Sequence, residues 1–264
     1  MFSRAVALAL FLFPTTPTAA SFAGTEVNIH VKLSAEAFSA ITAENIHLTS
    51  QFRNSQDQEI DFVTKHDPHV TLYLTTFENS SVSSGALHSA AALALASAAS
   101  SSPSCSSSSP PHLLIGASFA ASGAYGMLSV ALTDCLQLLS DSVVNATSTF
   151  VTPEAKASVP SWIYDLPEDQ QQAKVDMVHS FGSPNVFSAF QPHVTLLADA
   201  ANTTELLSVA SSNEVASLSS SVGLVGFGAV GPFGTVLKGE DVMPPAEAFG
   251  ADVARSKTDL GLVY

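Results

Sequence analysis

The chain has 264 residues, of which 46% are hydrophobic and only 12% are charged, and its formal net charge is −14. A chain of this length and hydrophobic content can bury a sizeable core, so the composition excludes an intrinsically disordered protein. Its nine basic residues disfavour a long nucleic acid as partner, because that binding depends on neutralising phosphates with Lys and Arg.

The first 20 residues have the pattern of a secretory signal peptide. Arg4 supplies a positive start, nine apolar residues follow at 5–13, and small residues at Ala19 and Ala20 suit a cleavage site. The apolar run is too short to cross a bilayer as a helix, and we expect no membrane span elsewhere. The sequence therefore predicts a secreted protein. An ordinary N-terminal strand or helix, or plastid targeting in an alga, is the alternative.

The cysteines and the glycosylation sequons bear on the same compartment. Cys105 and Cys135 could pair in an oxidising compartment, but the sequence does not show whether their geometry permits a bond. Asn79, Asn145 and Asn202 each begin an Asn-X-Ser/Thr sequon, which fits a secreted glycoprotein.

Alternating β-rich segments predict strands, and periodic apolar segments with capping residues predict helices. In the first half of the chain the predicted elements are a strand at 27–33, a helix capped by Ser34 and ending near 52, a strand at 68–74, a helix of small residues at 81–99, a serine-rich loop at 100–111, strands at 113–119 and 125–132, and a helix at 133–144. In the second half they are a helix at 167–179, a strand at 192–197, a helix at 202–215, and a hairpin of 222–230 with 235–238.

The five letters PHVTL occur twice, at 68–72 and at 192–196, each time after a predicted helix and before an Asn and a second helix. A repeated string in a repeated context predicts an internal duplication. We expect one domain over residues 25–264, with pseudo-repeats at about 25–135 and 136–240.

Each copy of the motif places a histidine and a threonine on one face of a strand, because residues i and i+2 point the same way. If the two repeats pair about a pseudo-twofold axis, His69, Thr71, His193 and Thr195 converge in one groove. One neutral imidazole can take a proton while the other, as imidazolium, donates one. The hydroxyls can bind phosphate oxygens, and this chemistry requires no metal.

Two His-X-Thr motifs in a duplicated α+β domain resemble the two-histidine (2H) phosphoesterase superfamily, which includes 2′-5′ RNA ligase-like proteins and 2′,3′-cyclic nucleotide phosphodiesterases. The segment FQPHVTL at 190–196 resembles the second motif of this family, and HVTLYL at 69–74 resembles the first. The resemblance covers about residues 25–240, mostly in pattern.

The resemblance implies a bilobal α+β fold, with two mostly antiparallel sheets around a central cleft and helices outside. It implies a hydrolase that opens a cyclic phosphodiester, with His69 and His193 as catalytic residues, Thr71 and Thr195 as substrate-binding residues, and no cofactor or metal. Which histidine is the acid stays open.

The chain departs from the family in one respect. Many RNA-processing relatives carry an arginine just after the second motif, where this chain has Leu197 and Ala198. Leu74 and Thr75 follow the first motif. Together with the acidic charge, this favours a nucleotide-sized or other small cyclic phosphate as the substrate of a monomeric enzyme.

Other histidines and glycines offer alternatives to this site. His47 begins a third His-X-Thr, but it lies in a predicted helix, where i and i+2 do not share a face. His66 and His69 would point to opposite faces of a strand, which argues against a metal pair. The glycines at 226–231 (GFGAVG) match a dinucleotide fingerprint in form, but a β-like run follows them where that motif needs a helix, so we interpret them as hairpin turn residues.

Several aromatic residues are open to two interpretations. Tyr73 shares the strand alternation of His69 and could border the site. Trp162, Tyr164, Phe187 and Phe190 could line the cleft and stack on a base, or pack in the core.

Two other functions remain open. A binding protein could keep the fold and recognise a phosphorylated ligand without turnover, although arginine would serve binding better than histidine. A secreted surface glycoprotein could also have inherited the fold, as the serine-rich loop and the sequons suggest.

Overall fold

The computed structural model of the chain describes residues 24–101, 105, 112–212, 218–221 and 225–241. The elements in these ranges are β1 (Gly24–Lys32), α1 (Ala35–Gln51), β2 (His66–Asp67), β3 (His69–Glu78), α2 (Asn79–Ser83), α3 (Ala86–Ser101), β4 (His112–Ser122), β5 (Tyr125–Val130), α4 (Asp134–Thr147), α5 (Pro153–Ala157), α6 (Glu168–Phe181), β6 (His193–Ala198), α7 (Thr203–Ser212), β7 (Leu218–Ser221), β8 (Val225–Val230) and β9 (Val236–Asp241). The predicted signal peptide and most of the serine-rich loop lie outside the described residues.

Two sheets organise the fold. The first has the strand order β2-β9-β8-β1-β3 and the second the order β6-β5-β4-β7. Every strand pair among the described residues is antiparallel. The α+β class and the two mostly antiparallel sheets are therefore confirmed. No helix in the described part of the chain is both long enough and apolar enough to cross a membrane.

The two PHVTL strands carry the same β-bulge. In the first sheet β1 pairs with β3 as Lys32–His69, His30–Thr71 and Ile29–Tyr73, which leaves Leu72 without a partner. In the second sheet β5 pairs with β6 as Ser129–His193, Met127–Thr195 and Gly126–Leu197, which leaves Leu196 without one. A bulge makes two residues oppose one and turns the strand locally. β5 is therefore the counterpart of β1, and β6 is the counterpart of β3.

This correspondence shows how the two units are interlocked. β4 lies before β5 in the chain and so belongs to the first unit, yet it pairs with β5 in the second sheet. β8 lies after β6 in the chain and so belongs to the second unit, yet it pairs with β1 in the first sheet. Each unit thus contributes a strand to the sheet of the other. By this matching the second unit begins at β5, inside the segment that the sequence assigned to the first repeat.

Helices also cross between the units, and they satisfy the bulges. The Ser140 hydroxyl of α4 donates to the Leu72 carbonyl (2.9 Å), and the Asn45 amide of α1 donates to the Leu196 carbonyl (3.0 Å). A bulge removes a carbonyl from the regular ladder, and a buried carbonyl without a partner is costly. Each helix therefore supplies the hydrogen-bond donor for the bulge in the motif strand of the other unit.

Local sequence signals account for the helix starts. Ser34 caps α1 by accepting from the Ala37 amide (3.4 Å), and Thr133 caps α4 by accepting from the Leu136 amide (3.2 Å). The single helix predicted over residues 81–99 is wrong. Gly85 adopts a left-handed φ of 75°, which only glycine tolerates well, and it separates α2 from α3.

Cys105 and Cys135 form a disulfide with a Cα–Cα distance of 5.2 Å. Cys135 lies in the first turn of α4. The bond therefore ties the segment after α3 to the helix that supports the first motif strand.

Candidate active site

His69 is held at both of its ring nitrogens. Nδ1 donates to the Asp67 carbonyl (2.8 Å), and Nε2 lies 3.1 Å from the side-chain amide nitrogen of Asn28. A carbonyl accepts and an amide N–H donates, so the neutral ring carries its proton on Nδ1 and presents a lone pair on Nε2. The same Asn28 amide donates to the Thr71 hydroxyl (3.0 Å), which fixes Thr71 beside His69.

His193 repeats this arrangement on β6. Its Nδ1 donates to the Gln191 carbonyl (2.8 Å), two residues back, as His69 does with Asp67. No hydrogen bond from another described residue reaches its Nε2. The side chain is partly exposed, as is that of Thr195. The two histidines are therefore oriented by the same backbone device, with Nε2 of each directed away from that backbone.

The two motif strands lie close together although they belong to different sheets. β3 and β6 are in contact, and His193 lies close enough for its positive charge to lower the pKa of His69. The structure thus brings His69, Thr71 and His193 into one neighbourhood. Thr195 lies two residues along β6, on the strand face of His193 and ahead of the bulge.

Burial lowers the pKa of His69 to about 3, and the positive charge of His30 is the next largest cause. The hydrogen bond to Asp67 opposes this shift, while the charges of His193 and His66 add to it. A histidine with so low a pKa is neutral at physiological pH and can accept a proton.

Three residues of β1 complete this neighbourhood, and no repeated motif marks them in the sequence as site residues. Asn28, His30 and Lys32 alternate along the strand, and the register sets His30 opposite Thr71 and Lys32 opposite His69. Directly opposite residues of antiparallel strands share a face. The polar alternation within VNIHVKL was the available signal, because these three residues point away from the apolar Val27, Ile29 and Val31.

Gly226 makes room for this arrangement. It stands opposite His30 on β8, and a Cβ there would lie 2.4 Å from His30 Nε2 and 2.6 Å from Lys32 Cε. Gly226 and Gly228 lie within β8, so interpreting them as turn residues was wrong. The segment Pro232–Gly234 and then β9 follow, whereas a dinucleotide loop needs a helix there.

The two motif histidines have unlike surroundings. In the matched registers, Asn28, His30 and Lys32 of β1 correspond to Tyr125, Met127 and Ser129 of β5. Lys32 adds a positive charge beside His30, while Met127 and Tyr125 are apolar or aromatic. A pseudo-symmetric pair of strands thus surrounds its two motif histidines with unlike residues.

Tyr73 does not border the site. The bulge at Leu72 takes it out of alternation with His69 and Thr71, and only 1% of its surface is exposed. Its hydroxyl donates to the Phe181 carbonyl, and burial raises its pKa. Tyr73 is therefore a core residue.

The other candidates do not join His69, Thr71 and His193, although the charge of His66 also acts on His69. His47 is exposed on α1 and contacts the Gln51 amide (3.0 Å). His66 accepts from the Asp61 backbone (3.1 Å). Phe190 is buried in the core, whereas Trp162 and Tyr164 are exposed. Phe187 packs on Phe181, with ring centroids 4.9 Å apart.

No group of three His, Cys, Asp or Glu residues within the described ranges is arranged to bind a metal ion. Searches against protein-family models and against curated proteins found no match to the chain.

Proposed function

We propose that this protein is a metal-independent phosphodiesterase that hydrolyses a small cyclic phosphodiester such as a 2′,3′-cyclic nucleotide, in the manner of the 2H phosphoesterases that its motifs resemble. One observation carries the proposal. Two histidines on counterpart strands, each oriented through Nδ1 by the carbonyl two residues back, lie within electrostatic reach of one another.

His69 is the base in this proposal. It is neutral and its Nε2 carries the lone pair, so it can take a proton from an attacking water that replaces the Asn28 amide at Nε2. The water oxygen bonds to phosphorus, and the bond from phosphorus to one ring oxygen breaks. His193, in its protonated form, gives a proton to that departing oxygen. The product is a phosphomonoester with a free hydroxyl, and atoms and charges balance.

Thr71 and Thr195 donate to the non-bridging oxygens, where negative charge accumulates in the transition state. Lys32, opposite His69, offsets part of the same charge. A single lysine suits one phosphate group better than a long polyanion.

The first test is turnover of 2′,3′-cyclic nucleotides by purified protein in EDTA, beside His69→Gln and His193→Gln. Because general acid–base catalysis contributes roughly 10²–10⁴-fold, we expect kcat to fall by that factor in each variant. His47→Gln is the matched control, since His47 also begins a His-X-Thr but is exposed on α1. Turnover that EDTA abolishes, or that neither site variant lowers, would refute the proposal.

A binding protein for a phosphorylated ligand is the second candidate. The Asn28 amide donates to Nε2 of His69. A histidine held in this way need not accept a proton, so the site could bind a ligand without turnover. Calorimetric titration with 2′- and 3′-nucleotides distinguishes the two functions. Binding that depends on Lys32, together with unchanged cyclic nucleotide after long incubation, would favour the binding protein.

A further inference from the structure

His30 is a buried histidine beside the proposed base. Only 1% of its surface is exposed, and its ring centroid lies 5.1 Å from that of His69, with the rings inclined by 62°. Such edge-on packing restricts both rings. Because His30 is closed to solvent, it does not contact substrate in this arrangement and must act through its neighbours.

His30 is linked to His69 by a second route. Its Nδ1 donates to the Asn28 carbonyl (2.9 Å), and the Asn28 side chain contacts both His69 Nε2 and the Thr71 hydroxyl. One histidine thus restrains the ring of His69 directly and restrains the residue that orients its Nε2.

The hydrogen bonding of the His30 ring is incomplete. Its Nε2 is buried without a hydrogen-bond partner among the described residues, and burying a polar group in this way costs free energy. A residue chosen for stability alone would be apolar here, as Met127 is at the counterpart position on β5. The glycine opposite, Gly226, provides the space for this imidazole.

We propose that His30 is a positioning residue for His69, which fixes the orientation of that ring through direct packing and through Asn28. The inference rests on the proposed function, but it makes a claim about His69 that can be measured without substrate.

The charged and titratable groups around this pair are few. Lys32 acts on His30 from the same strand, and His193 and His66 act on His69. β8 presents only Gly226 opposite His30. Burial lowers the pKa of His30 itself to about 4, so both rings are neutral at the pH of the assay.

The protonation of His69 sets how activity depends on pH. A base works only when deprotonated, so activity falls as pH drops through the pKa of His69. In the acid range where His69 titrates, His30 is itself protonated. Removing it therefore takes away a neighbouring positive charge and admits water, and both changes raise the pKa of His69 towards its ordinary value. We expect His30→Ala to move the acid limb of kcat/KM upward by about one pH unit or more, and to lower kcat roughly tenfold.

Two further variants separate positioning from general damage to the fold. His30→Asn keeps a side-chain donor for the Asn28 carbonyl, and we expect it to restore part of kcat. His88→Ala is the control, because His88 is an equally buried histidine that packs on Phe227, away from the cleft. It is expected to lower thermal stability without moving the acid limb.

If His30→Ala does not fold, Gly226→Ala displaces the ring while leaving the imidazole in place, and the same upward shift is expected. NMR titration of the His69 ring in each variant gives the result even if the wild type turns over no cyclic nucleotide. That case would refute the proposed function alone. An unshifted His69 titration in folded His30→Ala and Gly226→Ala would overturn the role of His30.

Discussion

Lys32 is the clearest difference between the surroundings of His69 and those of His193. It stands opposite His69, and the charge it carries has no counterpart at Ser129 on the other strand. Charge-assisted hydrogen bonds contribute roughly 1.5–3 kcal/mol. We therefore expect Lys32→Gln to lower kcat/KM for a cyclic phosphate by about 10–100-fold, and Lys32→Arg to retain most of it.

The measurement is steady-state kinetics at two salt concentrations, since salt screens an exposed charge. The wild type should lose more activity at high salt than Lys32→Gln does. Lys156→Gln, on α5, controls for the loss of one positive charge from an acidic protein. Equal salt dependence in the wild type and in Lys32→Gln would remove Lys32 from the proposed binding site.

From the sequence, only those residues of the candidate site that occur in both copies of the motif could be predicted. His69 and His193 were found because PHVTL occurs twice, whereas His30 and Lys32 occur in one unit and lack that signal. Tyr73 was misplaced for a different reason. The alternation rule assumes an unbroken strand, and the bulge at Leu72 shifts every later residue by one position.

At the scale of elements, the hydrogen bonds from α1 and α4 to the bulges are the contacts that set the motif strands. Asn45 donates to the Ile60 and Leu196 carbonyls and accepts from the Phe62 amide, whereas Ser140 bonds to the Leu72 carbonyl. Since each buried group left without a partner costs about 1–3 kcal/mol, we expect Ser140→Ala to lower the free energy of unfolding by about that amount, and Asn45→Ala by more.

Urea unfolding measures both losses, and an unchanged dependence on urea concentration would show that only stability has changed. Ser180→Ala, at an exposed position on α6, is the control for removal of a serine hydroxyl from a helix outside these contacts. If Ser140→Ala were as stable as the wild type, the Leu72 carbonyl would not depend on this bond.

The helix and strand positions were largely predictable, because they follow from local periodicity and from caps such as Ser34 and Thr133. The pairing of the strands was not. β4 and β8 have ordinary strand patterns, and nothing local shows that each pairs with the strands of the other unit. A left-handed residue inside a helical pattern, such as Gly85, is equally hard to detect, because isolated glycines also occur within helices.

At the scale of the whole molecule, α4 carries one cysteine of the disulfide and also bonds to the motif strand of the other unit. The sequence left the pairing of Cys105 and Cys135 open, and the structure joins them across a separation of 30 residues. α4 begins beside Cys135 and then reaches the motif strand of the other unit through Ser140. The bond therefore anchors one of the two helices that cross between units.

Replacing both cysteines by serine tests what this anchor contributes. Closing a loop of this length restricts the unfolded chain by about 3–4 kcal/mol on the entropy model, so the free energy of unfolding should fall by about that amount. Because neither cysteine is among the residues around His69, kcat at 25 °C should stay the same while the melting temperature falls. A stable double variant with low kcat would instead show that the disulfide positions α4, and through it the strand that carries His69.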